Sequence, residues 1–414
     1  MIIPVGGEAK RLRPLTAEVS KASVRVFNRP IAEFVLAELA LHGARHFIFG
    51  VKGYVNYRSL FDYFREGIGF SAQYGIAPRA HVKYQPPVED VGNADSVRIN
   101  LGYYDVKGPV MVVQGDNIFE LDLEDLLSFH EEKGSFMTVV LTYVDDVEGY
   151  GIAELEGDQR IRRFLEKPRR EEAPTRLANT GIYLLSPAVR ELLDRPTVRQ
   201  MIERGRLDFG LDFIPFVVRE GYPVFGYTLE GEWYDLGTPA GYLATMLRVL
   251  RTSRRSLFYF GEPVAGLDRV WIQGESPEAL RGRAEIVRKV REGRLTLDGS
   301  VMIGRHCQIG DGTTIRDSCI DNFCVVGEDV TIERSAIMDR VVLGDEAEVQ
   351  DSIVGRHVRV KSSRSRPTWI LGLSVIGHDV VIGEGCFIGS SRIFPHLTVP
   401  EGAKLADRTL ESGS

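Results

Sequence analysis

Residues 303–354 read IGRHCQIGDGTTIRDSCIDNFCVVGEDVTIERSAIMDRVVLGDEAEVQDSIV, and their spacing decides the fold of the C-terminal part. Apolar residues recur at Ile303, Ile309, Ile315, Ile320, Val326, Ile332, Ile337, Leu343, Val349 and Val354, in steps of 6, 6 and 5 repeated three times. Three steps span 17 residues, so the chain turns three corners and begins again. The pattern resumes at Ile376, Ile382 and Ile388 after a break around KSSRSRPTW (361–369). This is the hexapeptide repeat of a left-handed parallel β-helix, with one inward apolar residue per side and Gly at many corners.

Working outward, residues 1 to about 250 follow a different rhythm. MIIPV reads as a strand, PIAEFVLAELALHG as an amphipathic helix and HFIFGV as a second strand. PVMVVQGD, LEDLLSFHEEKG and FMTVVLTYV continue as strand, helix and strand. Buried strands separated by helices indicate crossover units and a mostly parallel, Rossmann-like α/β sheet. Ligands of such sheets bind at the carboxyl ends of the strands. The expected organisation is a domain over 1–250, a linker and helical spacer over 251–300, and the β-helix over 301–414. Within the spacer RTSRRS (251–256) reads as linker and PEALRGRAEIVRKVREG (277–293) as a polar helix.

A chain of 414 residues exceeds one ordinary core. Its net charge of −7 excludes a general nucleic-acid binder, so cationic clusters must be local. Lysines number only 10 of the 51 cations, so each marks a position where a compact point charge is wanted. No apolar run reaches the ~20 residues of a membrane span, and no signal peptide is visible. Cys307, Cys319, Cys324 and Cys386 form no C-x-x-C pair and read as small buried residues of a reduced, cytoplasmic protein.

Two glycines follow the first strand in GGEAKRLRPLT (6–16), where bare backbone can turn and present N–H groups to an anion. Lys10, Arg11 and Arg13 can add charge-assisted bonds to phosphate oxygens. The stretch is neither a Walker loop nor G-x-G-x-x-G, and alone it reads equally well as an exposed basic turn.

This stretch resembles the G-G-x-G-T-R-L-x-P-L-T signature of the sugar-1-phosphate nucleotidylyltransferases. SKASVRVFNRPI (20–31) is similar to that family's P-K-P-L…N-K-P segment, with Lys21 in the lysine position and FNRP closest to the mannose-1-phosphate guanylyltransferase branch. Ala9 and Lys10 stand where the pattern has Gly-Thr, and Ser20 and Ala22 where it has prolines. YQPPVEDVGNADSV resembles the nucleobase segment, which implies that Gln85 reads a base edge and that Gly92 lets the base approach. QGDNIF and EGEWYDLGTP resemble the two metal motifs and imply Mg²⁺ on Asp116 and Asp235. YGIAELEGDQRIRRFLEKP and LANTGIYLLSP resemble the sugar side. They imply Tyr150, Gly151, Glu166 and Asn179 against the sugar and Lys167 on its phosphate.

The resemblance implies attack of a sugar 1-phosphate on the α-phosphorus of a nucleoside triphosphate, with release of pyrophosphate. Gly6, Gly7, Lys10 and Arg11 would cradle the triphosphate; Arg11 and Lys21 would stabilise the leaving group; Lys167 would position the nucleophile. GTP with mannose 1-phosphate is the expected pair, and UTP or dTTP with glucose 1-phosphate the alternative. A non-catalytic assembly subunit is a reading of another class, set against all five of Arg11, Lys21, Asp116, Lys167 and Asp235 being present. A third makes the β-helix an acyltransferase through His306, His357, His378 or His396. Otherwise the β-helix is expected to join copies into a homo-oligomer.

Overall fold

The computed structural model describes residues 1–7, 9–252 and 260–411. It divides into two compact units: Met1–Glu8, Ser20–Ser23 and Ile31–Tyr234 in one, and Ala9–Val19, Val24–Pro30 and Asp235–Ser414 in the other. The units are therefore not consecutive stretches of chain. Two short N-terminal segments are counted with the C-terminal half.

The first unit is built on a nine-stranded sheet. Strands Val110–Val113, Ile2–Val5, His46–Val51 and His81–Tyr84 lie side by side and parallel. The first three are apolar nearly throughout because helices such as Ile31–Leu41 and Asn93–Tyr103 connect the strands, while the edge strand His81–Tyr84 is mixed. The other half of the sheet is mixed. Leu177–Leu185 runs antiparallel to both Val110–Val113 and Met137–Tyr143, and Gly151–Leu155 forms a hairpin with Ile161–Glu166. That mixture has a local cause: the five residues between the hairpin strands leave no room for a crossover helix.

In the second unit, parallel strands stack into three sheets of eight, seven and six strands, one sheet per side of a β-helix. Ile315 pairs with Ile332 and Ile332 with Val349, so these coils add 17 residues each, while the coil with the break adds 22 between Val354 and Ile376. All thirteen apolar residues of the sequence pattern are buried in one continuous core. Corners are made by left-handed residues at the same interval, such as His306, Phe323, Arg340 and His357. The ladder starts before residue 301. Val270–Ile272 and Thr296–Asp298 already pair with the coil that follows, because Val270, Ile272 and Leu295 are apolar and close the end of the core. Helix Pro277–Arg291, capped by the Ser276 hydroxyl accepting from Ala279 N at 3.2 Å, buries Ile286 in that core. Residues 253–256 of RTSRRS lie outside the described residues.

A serine ladder runs along one corner. Ser335 N donates to Ser318 Oγ and Ser352 N to Ser335 Oγ, each at 3.1 Å. Ser335→Ala orphans the buried Ser352 N–H and is expected to cost about 1–3 kcal/mol, the scale for an unsatisfied buried donor. Denaturant unfolding measures it, and an unchanged midpoint would remove the ladder as a source of stability.

Candidate active site

Four parallel strands of the first unit end on one edge of its sheet, and the next residues of each face the same way: Gly6, Lys52, Gln85 and the Gln114–Asp116 turn. Gly115 is bare because a Cβ there would crowd Ile3 Cγ2 (2.9 Å) and Val5 Cγ2 (3.1 Å), with Ala22 Cβ at 3.6 Å. The short helical turn Lys21–Ser23 is thus seated against this turn, and Lys21 Nζ donates to Asp116 Oδ2 at 2.7 Å. The pair is partly sheltered, with Lys21 13% and Asp116 31% exposed. Asp116 Oδ1 is buried and has no hydrogen-bond partner among the described residues. An anionic oxygen left unpaired beside a lysine is a place for a cation.

Further along the same unit, Gly151 lies opposite Glu166 in the hairpin, and a Cβ would strike Glu166 Oε2 and the Phe164 ring. Burial pushes the Glu166 carboxyl above its usual range; Lys167 opposes the shift and Asp208 adds to it. Lys167 sits in the left-handed region at φ 49°, its side chain 62% exposed and its Nζ 3.7 Å from Glu166 Oε1. The Tyr150 ring meets Trp233 edge-on at 5.7 Å. Asn179 lies at a bulge of the long strand, donating to Tyr183 OH and accepting from Gly181 N, both at 2.9 Å.

The second unit holds Arg11 and Asp235. Gly237 N donates to Asp235 Oδ1 at 2.7 Å, and a Cβ on Gly237 would lie 3.1 Å from Arg11 Nη2. The glycine therefore sits between guanidinium and carboxylate. The loop bearing Arg11 is closed by Thr16 Oγ1 donating to Ala9 O at 2.9 Å.

The nucleotidyl transferase family matches residues 1–252. The chain belongs to that family. A second match, to the GMPPB C-terminal domain, covers residues 292–407. The chain is 28% identical to the mannose-1-phosphate guanylyltransferase catalytic subunit beta of Danio rerio over 97% of both chains. It is 30% identical to the mannose-1-phosphate guanyltransferase of Eremothecium gossypii over 96% of both. It is 27% identical to a UTP–glucose-1-phosphate uridylyltransferase of Synechocystis over 77% of this chain and 82% of that one.

For a nucleotidyl transferase, some residues stand differently from the sequence expectation. Gln85 is a buried hub: its amide N donates to Val88 O (3.0 Å) and Asp90 Oδ2 (3.2 Å), and its amide O accepts from Ser96 Oγ (2.6 Å) and Asn100 Nδ2 (2.9 Å). These bonds use both amide donors and both lone pairs inside the protein. Gly92 is required by packing, since a Cβ would run into the Leu207 carbonyl. Neither Gly6 nor Gly7 takes a positive φ; among the described residues of this loop the left-handed one is Ala9, at φ 43°, where the family pattern has glycine. Lys10 opens the turn Lys10–Leu12, in which Lys10 and Arg11 are exposed and Leu12 is buried. Ser20 replaces its proline with a local bond, its hydroxyl accepting from Ala22 N at 3.2 Å.

Two charged residues of this nucleotidyl transferase escaped the motif reading. Lys52 lies beside Gly6, whose Cβ position is 3.2 Å from Lys52 Cβ, and its Nζ donates to Asp90 O at 2.9 Å. Its signal was its place directly after the strand HFIFGV. Asp208, which acts on Glu166, caps the turn Phe209–Phe213 and had no motif. The β-helix histidines all occupy structural contacts: His306 stacks on Phe323, His357 pairs with Asp379, His378 accepts from Arg356 N, and His396 meets Glu18. Among the described residues no helix is long and apolar enough to cross a membrane, and no three His, Cys, Asp or Glu side chains gather as a metal group.

Proposed function

We propose that the chain transfers a nucleotidyl group from GTP to mannose 1-phosphate, giving GDP-mannose and pyrophosphate. The observation that carries this reading is similarity to mannose-1-phosphate guanylyltransferases along nearly the whole chain, including the C-terminal domain. The uridylyltransferase likeness covers less of the chain.

In the proposed reaction a phosphate oxygen of the sugar attacks the α-phosphorus. A new P–O bond forms there, and the bond to the bridging oxygen breaks as pyrophosphate departs. Both reactants are polyanions, so the residues needed are charged positioning groups and no protein nucleophile. Lys21, held in place by Asp116, and Arg11, beside Asp235, supply fixed positive charge for the triphosphate. Lys167, on its exposed turn, positions the sugar phosphate. Gly6 and Gly7 keep the backbone bare on the triphosphate side, and Lys10 adds charge there. Tyr150, Gly151, Glu166 and Asn179 form the sugar side.

The unpaired Asp116 oxygen fits a hard cation, and Asp235 would be the second carboxylate. Mg²⁺, when bound, supplies positive charge between phosphate oxygens, typically through one or two carboxylates. We place the protein in the reducing cytoplasm on its four free, buried cysteines. Assembly into a homo-oligomer through the β-helix is supported by apolar side chains left exposed at Phe323, Val325 and Val342.

The test is pyrophosphate release across GTP, UTP, dTTP and ATP against mannose and glucose 1-phosphates. GTP with mannose 1-phosphate should give the highest kcat/KM. Preference for UTP or dTTP with glucose 1-phosphate would replace the substrate pair, and GTP binding without pyrophosphate release from any pair would make the chain a binding subunit.

A further inference from the structure

The FNRP motif has a second job. Arg25–Val26 and Arg29–Pro30 form a two-stranded hairpin whose turn, Phe27–Asn28, has φ 53° and 66°. Two left-handed residues in succession make a tight hairpin turn that glycine and asparagine suit and phenylalanine does not. Such a conformation persists only when its surroundings hold it.

The surroundings are β-helix residues of the same compact unit. Phe27 is buried and meets Phe260 at 4.9 Å. Asn28 is bound on every polar group but its carbonyl: its N donates to Asp321 Oδ1 (3.2 Å), its Nδ2 to Gln273 Oε1 (3.0 Å), and its Oδ1 accepts from Asn322 N (2.9 Å). Arg25 Nη1 donates to Asp339 Oδ2 at 2.8 Å. The preceding stretch is tied to the β-helix as well, with His396 Nε2 at 2.9 Å from Glu18 Oε1 and His378 against the Leu15 backbone.

We propose that Asp321 is a positioning residue for nucleotide binding, acting through the Phe27–Asn28 turn to set the stretches of its own unit, Ala9–Val19 and Val24–Pro30, that carry Lys10 and Arg11. This rests on the proposed function of those stretches. Asp321 is 3% exposed, and the groups facing it are Asp339, Arg25, Cys319, Cys324 and Tyr242. Burial first, then Asp339, push its carboxyl up to about 7, with Arg25 opposing. Above that value the full charge holds the Asn28 N–H; below it a neutral carboxyl holds it more weakly. Burial pushes the Cys319 thiol and the Tyr242 hydroxyl upward, and a hydrogen bond with Cys307, then burial, does the same for the Cys324 thiol, so these stay protonated between pH 6 and pH 8.

The experiment uses the full chain, with the affinity for GTP measured by direct binding and kinetics measured alongside. Asp321→Asn should weaken GTP binding about tenfold at pH 8, within the usual range of coupling between sites. The KM for mannose 1-phosphate should change less. The wild type should lose GTP affinity as pH falls from 8 to 6, and Asp321→Asn should lose that slope. Asn28→Gly, which keeps the left-handed turn and removes the side-chain clamp, should weaken GTP binding in the same way and covers the case in which Asp321→Asn does not fold. Unchanged GTP affinity and pH slope in a folded variant would overturn the inference, whatever the reaction. Altered GTP affinity with no pyrophosphate release by the wild type would sustain the clamp and remove the proposed reaction instead.

Discussion

Asp116→Asn should lower turnover in Mg²⁺ on the order of 10²–10³-fold, the scale for removing one preorganised charge-stabilising group. The expectation follows from the two oxygens of this carboxylate. One holds Lys21 at 2.7 Å and the other is buried without a partner. Asparagine keeps the shape, but its NH₂ must face either the Lys21 ammonium or the place reserved for a cation. Either orientation puts donor against positive charge. The variant also removes the Asp116 charge facing Lys21, which is 13% exposed, so the unfolding temperature must be measured beside the rate. A folded variant that releases pyrophosphate at the wild-type rate would remove Asp116 from the chemistry.

Ile332→Ala has the largest expected effect on stability. Ile332 is fully buried and stacks between Ile315 and Val349 of the adjoining coils. Truncation opens a cavity in a column with a neighbour on each side, and loss of this kind costs about 2–5 kcal/mol. In a stacked repeat each coil is stabilised mainly by its neighbours, so one substitution weakens two interfaces. Val342→Ala, at an outward position that is 38% exposed, is the control. Denaturant unfolding of the two variants should separate them clearly. A change within about 0.5 kcal/mol for Ile332→Ala, the scale of surface substitutions, would contradict the inward register.

The register was legible because it repeats. Each inward position is confirmed by others 17 residues away, and helical or alternating patterns cannot imitate that spacing. The sheet of the first unit was legible for a different reason, as Ile2–Val5 and Val110–Val113 are apolar along their whole length and His46–Val51 after its first residue. The serine ladder was not, since serine at a corner looks the same whether it bonds the next coil or water. At the site, motifs located Lys21 and Asp116, but their 2.7 Å contact depends on how Ala22 seats against Gly115, which no linear spacing displays. The internal bonds of Gln85 were not read either. Ser96 and Asn100, four apart on one helix face, were the available signal that its amide would be consumed internally. Asp321 left no mark at all, because its environment is assembled from residues hundreds of positions apart.

The grouping of Ala9–Val19 and Val24–Pro30 with the C-terminal coils has a consequence for how the protein is made. Chains emerge from the ribosome N-terminus first, and domains generally fold as units in that order. Here the stretch proposed to receive the triphosphate emerges before the groups that hold it. The groups that hold it, from Gln273 and Asp321 to His378 and His396, come more than 240 residues later. That stretch must therefore wait for those coils before it can settle, and nucleotide affinity in a nascent chain would report that they have been made.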